Sequence, residues 1–173
     1  SDVTEIGDYA FGFYRRVNRM DFPEGLRRIG NENFWLSTLK KAILPSTLEE
    51  LGDRVFLQSE LEEVSLPDGL KVIPDEAFYR CEKLGKVNFP DGLESIGQFA
   101  FGETHLPAEV VLPQSVKHIG RGAFRKNAVP FERFVLPEGL ETIERQAFGS
   151  NVLPNGIVIP GSVRRIEEVA FSG

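Results

Sequence analysis

Leu66-Pro67-Asp68-Gly69-Leu70-Lys71-Val72-Ile73-Pro74-Asp75-Glu76-Ala77-Phe78 and Phe89-Pro90-Asp91-Gly92-Leu93-Glu94-Ser95-Ile96-Gly97-Gln98-Phe99-Ala100-Phe101 are one pattern written twice, 23 residues apart. The same pattern recurs on both sides of this pair. Ala-Phe returns as Ala10-Phe11, Ala123-Phe124, Ala147-Phe148 and Ala170-Phe171, and Asn33-Phe34 and Val55-Phe56 fill the two gaps. An apolar residue followed by Pro returns at Phe22-Pro23, Leu44-Pro45, Leu112-Pro113, Leu136-Pro137 and Ile159-Pro160. Three residues after each Pro comes Leu or Val, three further on Ile or Leu, and five later the Phe. Those spacings never vary, whereas the stretch from the Phe to the next apolar-Pro pair is 10, 11 or 12 residues. Eight of the 14 Phe are therefore one position seen eight times. One rigid arc and one elastic arc per period is solenoid behaviour, because stacked neighbours fix register only where they touch.

Each period reads as one coil. Alternating triplets such as Val64-Ser65-Leu66, Val87-Asn88-Phe89 and Phe134-Val135-Leu136 stand just before the Pro. A period of two means a short strand with its first and third side chains inward. Pro withholds a donor and ends that strand, and the following Pro-x-Gly suits a tight turn. Leu-x-x-Ile then forms a second extended piece, and the Ala-Phe segment a turn or a single helical turn. One coil cannot bury its apolar set alone, so adjacent coils must supply the core.

The composition agrees with a folded domain. The chain has 173 residues, 41% hydrophobic and 27% charged, which is globular rather than disordered. No stretch approaches the roughly 18 uninterrupted apolar residues of a spanning helix, so no membrane insertion is expected within this segment. A net charge of −6 argues against nucleic acid or an anionic membrane surface as partner. A single Cys excludes an internal disulfide framework and any multi-cysteine zinc site.

The recurring form, apolar-Pro-x-x-Leu-x-x-Ile-Gly-x-x-Ala-Phe, resembles the BspA-like leucine-rich repeat family from Ile6 to Phe171. The resemblance implies a right-handed leucine-rich repeat solenoid, an α/β superhelix. Short parallel strands would line its concave face, with turns and single-turn helices on the convex face. We expect residues 1–173 to form one such solenoid of seven to eight repeats of 22 to 24 residues. The chain opens and closes inside a repeat, which reads as an excerpt of a longer array. The family is typically secreted or surface-exposed in bacteria and protists and is implicated in adhesion and in binding host or matrix proteins. The resemblance thus implies a non-enzymatic protein-binding or adhesion module outside the cell. Its partner would be an extracellular matrix or cell-surface protein. The alternative is a spacer that carries other domains and has no ligand of its own.

Two candidate surfaces follow from the repeat. Outward side chains of the first strand should line the concave face. They are polar early and turn apolar late, which singles out Ile43, Glu109, Val111, Arg133, Val135 and Val158. A Val stripe beside Arg133 and Glu109 suits a protein partner, although Val also simply favours strands. Directly after the repeated Phe stand Trp35, Leu57 and Tyr79, a candidate aromatic stripe that either holds a partner or roofs a turn.

Other columns read as structure. Three residues after the Phe stand Ser37, Ser59, Cys81, Thr104, Asn127 and Asn151, a polar ladder suited to satisfying backbone groups at a bend. Tyr14 interrupts it in the first repeat, where a distorted or partly open turn is expected. Arg27, Glu49, Lys71, Glu94, Lys117, Glu141 and Arg164 alternate in sign. At a strand spacing of about 4.8 Å such a row sets register more than it stabilises. Chance alternation on a solvated face remains the other reading. For catalysis there is little: His118 lies among Ser95 and Thr142 of neighbouring coils, and no phosphate loop, HExxH or nucleophile elbow occurs. No cofactor, metal site or enzyme activity is expected.

Overall fold

The structure, a computed structural model, describes residues 3–173. Its regular elements are strands of two or three residues, which follow the triplet and Leu-x-x-Ile positions of the repeat. In chain order they are β1 (Glu5–Ile6), β2 (Arg28–Ile29), β3 (Lys41–Ile43), β4 (Glu50–Leu51), β5 (Glu63–Ser65), β6 (Val72–Ile73) and β7 (Lys86–Val87). Then come β8 (Ser95–Ile96), β9 (Glu109–Val111), β10 (His118–Ile119), β11 (Arg133–Val135), β12 (Thr142–Ile143) and β13 (Arg165–Ile166). Every pairing is parallel and joins equivalent positions of adjacent coils: Ile96 lies beside Ile73 and Ile119, and Val64 beside Ala42 and Val87. This is the stacking in phase that the repeat demands.

The triplet strands form two ladders, β3-β5-β7 and β9-β11, on the concave side of the solenoid. The Leu-x-x-Ile strands form β1-β2-β4 and β6-β8-β10-β12-β13. Side-chain direction matches the alternation: in β3 and β9 the middle residue is buried and its neighbours are exposed.

Between the strands runs the Phe column. Phe11, Phe34, Phe56, Phe78, Phe101, Phe124, Phe148 and Phe171 stack with centroids 5.1 to 5.8 Å apart and planes within 15°. The six inner rings have no exposed surface. Phe22, Phe89 and Phe134 meet the column edge-on, at interplanar angles of 61° to 86°. Phe34, Phe101, Phe124 and Phe148 thus combine stacked neighbours with an edge-on partner, both geometries that the ring quadrupole favours. Asn33, standing where most coils have Ala, is fully buried. It is tolerated because its Nδ2 donates to the Gly7 and Gly30 carbonyls at 2.9 and 2.8 Å while Oδ1 accepts from Phe11 N–H at 3.2 Å.

The single-turn helices expected around Ala-Phe are absent among the described residues; turns replace them. The cause is local. Two residues before and two after the Phe, the backbone is left-handed, as at Glu76 (φ 54°) and Arg80 (φ 57°) flanking Phe78. A helix requires consecutive residues near φ −60°. The N–H groups of Glu76, Phe78 and Arg80 instead donate to Gln98, Ala100 and Gly102 of the next coil, at 2.7 to 2.9 Å. Ala77, Tyr79 and Cys81 close i→i−3 turns at 3.0 to 3.3 Å. Each left-handed non-Gly residue costs about 1–2 kcal/mol, which the cross-coil hydrogen bonds offset. In the first coil Phe13 lacks the left-handed φ of its equivalents, and Phe13 and Tyr14 are exposed, so that turn is distorted.

Candidate functional site

On the concave face the parallel register of β9 and β11 sets Glu109 beside Arg133 and Val111 beside Val135. The charged pair approaches to 3.9 Å. Val111 is 51% exposed, and Val135 is half-buried. The two strands thus present a two-by-two patch, apolar along one edge and mixed in charge along the other. Buried Val110 and Phe134 underneath hold it in place.

Val158 is 73% exposed but lies in no strand. Its coil turns at Asn155-Gly156, with Gly156 at φ +91°, at the position where β3, β5, β7, β9 and β11 begin in their coils. Glycine alone adopts that conformation freely, so the strand cannot continue. Between β11 and this coil opens a groove of about 340 Å³, bordered by Arg133, Val135, Pro154, Ile157 and Val158. Pro154, Asn155 and Ile157 were not among the residues expected to matter. The Asn-Gly dipeptide, a turn signal in a strand position, marks them in the sequence.

Ile43, 58% exposed, stands apart from the Val patch. Ser65 is its partner on β5, and Asn88 occupies the next coil. It borders a second groove, of about 410 Å³, whose other walls include Arg19, Asp21, Lys40 and Lys41. The middle of the face is charged and internally paired: Glu63 bridges Lys41 at 3.2 Å and Lys86 at 3.1 Å. Those two ammonium groups, Lys86 foremost, hold the Glu63 carboxyl below its ordinary range.

Trp35, Leu57 and Tyr79 occupy successive coils of one column and are all half-buried. Tyr79 packs on Phe99 with centroids 5.5 Å apart, and its hydroxyl donates to Glu103 Oε1 at 3.3 Å. Arg80 lies over Tyr79, Arg121 over Phe99 and Arg15 over Trp35, at 5.4, 5.8 and 5.9 Å. Glycines make room for the rings: a Cβ on Gly102 would stand 3.1 Å from the Tyr79 ring. Phe99 joins this group from a column that sequence reading passed over, because its own coil supplies it two residues before the repeated Phe.

The polar ladder bonds inward at several members, whereas the buried Oγ of Ser37 has no partner among the described residues. Cys81 Sγ donates to Phe56 C=O at 3.0 Å and meets Ser59 Oγ at 3.3 Å. Asn151 Nδ2 donates to the Phe124 and Phe148 carbonyls, at 2.7 and 3.0 Å. Burial pushes the Cys81 thiol up to about 12, so it stays protonated and unreactive near neutrality. His118 Nδ1 lies 2.7 Å from Thr142 Oγ1 on the exposed second-strand face. Of the alternating charge row, Arg27 and Glu49 meet at 2.6 Å. Most cross-coil ion pairs lie in other columns. Arg28 bridges Glu5 and Glu50, and Arg54 bridges Glu32 and Glu76.

Six copies of the model for the BspA type leucine rich repeat region match the chain, over residues 1–83 and 50–173. The chain belongs to this family. Its fold is similar to that of the T. pallidum leucine rich repeat protein, with a TM-score of 0.70 and 28% identity over 94% of this chain and 77% of that one. A leucine rich cell surface protein from Faecalibacterium prausnitzii gives a TM-score of 0.57 at 23% identity, covering 98% of this chain and 62% of that one. A leucine-rich repeat protein from Bacteroides ovatus gives 0.59 at 21%, covering 96% and 55%. A search of curated protein sequences gives no match. Among the described residues no helix is long and apolar enough to cross a membrane. As a BspA-type array the chain is a repeat module of the kind that presents a surface to other proteins.

Proposed function

We propose that this solenoid is a non-enzymatic protein-binding module of a secreted or surface-exposed protein, adhesive in role. Its partner is an extracellular matrix or cell-surface protein, and its contact surface is the patch of Glu109, Val111, Arg133 and Val135 extended by Val158. The observation that carries this reading is the β9–β11 register, which joins exposed Val111 and half-buried Val135 to an opposite-charge pair on one ladder. An apolar row beside a charged row supplies the two ingredients of a protein interface, apolar contact and a polar margin. The cell-surface description of the F. prausnitzii protein supports the location.

The test is a biolayer interferometry panel of matrix and cell-surface proteins against the purified chain and its Arg133→Ala/Val135→Ala variant. Capture of a panel member, weakened at least tenfold by the double substitution at unchanged melting temperature, is the expected result. Silence across the panel, or capture indifferent to the substitutions, assigns the chain to the spacer role instead.

A further inference from the structure

In three coils the residue before the Pro donates its N–H to the following coil. Leu44 donates to Ser65 C=O at 3.1 Å, Leu66 to Asn88 Oδ1 at 2.7 Å and Leu112 to Val135 C=O at 3.1 Å. Leu136 holds the same slot behind β11 and lines the groove, and among the described residues its N–H, like those of Phe22 and Phe89, meets no acceptor in the next coil. For Leu136 the reason is Gly156: at φ +91° it turns the chain where a strand needs φ near −120°, so residues 156–158 do not pair with β11. One edge of β11 is bonded to β9 and the other faces the groove.

We propose that this open edge takes an extended peptide of the partner as one further parallel strand. The inference rests on the protein-binding reading above and supplies its mode of recognition. An unpaired strand edge is a template for another chain, and main-chain hydrogen bonds to it demand an extended occupant rather than a helix or a sugar. All strand pairs among the described residues are parallel, and the β9–β11 register sets the direction for the next member. The groove's volume of about 340 Å³ falls in the range of roughly 300–1,000 Å³ typical of ligand clefts. Its side walls, Val135 and Val158 with Pro154 and Ile157, receive apolar side chains at alternate positions of the incoming strand. The second groove, beside β3, sets Met20, Phe22 and Ile43 among Arg19, Asp21, Lys40 and Lys41, so half of its lining residues are charged, against a quarter in the first groove.

The probe is a fluorescein-labelled peptide Leu-Glu-Glu-Val-Ser-Leu-Pro, the sequence of residues 61–67, which fills the corresponding slot beside β3. Anisotropy should show saturable binding, and the Leu136 amide should shift and exchange with solvent at least tenfold more slowly. The same peptide N-methylated along its backbone keeps its side chains but cannot add as a strand, and should bind at least tenfold more weakly. Gly156→Val, strained at a φ of +91° and favouring negative φ, should turn residues 156–158 toward β11 and weaken the peptide at least tenfold. No saturable binding, equal binding of the N-methylated peptide, or shifts confined to Lys40 and Lys41 overturns strand addition. If strand addition fails while Arg133→Ala/Val135→Ala still abolishes partner capture, the binding module stands and only its mode of recognition falls.

Discussion

The Phe column runs unbroken from Phe11 to Phe171, whereas the triplet ladder on the concave face is interrupted on either side of the β9–β11 pair. Both are built once per coil by the same repeat, so the difference lies in what each interaction requires. A ring removed from water needs a ring above and below in register, and no solvent molecule can stand in for either. A strand edge at the surface can be satisfied by water or by a side chain. Asn88 does this for Leu66: its Oδ1 accepts from the N–H and its Nδ2 donates to the carbonyl, at 2.7 and 2.8 Å. The interior is therefore uniform along the array and the concave face is free to vary. That variation confines the apolar patch and the groove to one part of it.

The sharpest way to break this comparison is to remove one ring. Phe101 is fully buried, with Phe78 and Phe124 stacked on its two faces and Phe89 against its edge. Phe101→Ala should cost about 3–5 kcal/mol in denaturant unfolding. Phe171 has one stacked neighbour and is half-buried, so Phe171→Ala should cost clearly less. Equal losses at the two positions would mean that stacking does not organise the core.

A second contrast concerns the close approach of coils beside the column. A Cβ on Gly97 would stand 2.6 Å from Asp75 Oδ1 and 2.7 Å from the Pro74 carbonyl carbon, whereas one on Gly161 would meet nothing within 4 Å. Gly97→Ala forces neighbouring coils apart and should cost about 1–3 kcal/mol. Gly161→Ala should stay within about 0.5 kcal/mol of the parent by calorimetry.

What the sequence revealed follows the same division. The fixed spacings located the Phe column, both strand positions and the polar ladder, because each is held to a narrow range of residue types by burial. The left-handed turns left no such mark: Glu32, Arg54, Glu76, Phe99 and Gln146 share a backbone conformation but no chemistry. Cross-coil hydrogen bonds from the N–H groups of Glu32, Arg54, Glu76 and Phe99 hold that conformation, so neither Gly nor Asn is required, and a helical turn was the natural expectation. On the concave face the sequence placed Glu109, Val111, Arg133 and Val135 in adjacent rows. It could not separate Ile43 from them, because grouping depends on which coils pair. The groove was illegible for the same reason, with only Asn155-Gly156 to announce it.

The smallest expected effect lies in the charged middle of the ladder. Lys86 and Lys41 lower the Glu63 carboxyl below its ordinary 4.5, so the ionised form is favoured in the folded state. A depressed folded value contributes stability above the unfolded value, and that contribution disappears as pH falls through the folded one. Glu63→Gln should therefore lower the melting temperature slightly at neutral pH, and parent and variant should converge in acid, from about pH 5 downward. Added salt should shrink the gap as well, because both pairs are exposed to screening. Phe101→Ala should show neither dependence, since burial of a ring involves no titrating group. A Glu63 effect that survives acid and salt would place packing, not charge, in the middle of the concave face, and the contrast between a uniform interior and a variable surface would have to be redrawn there.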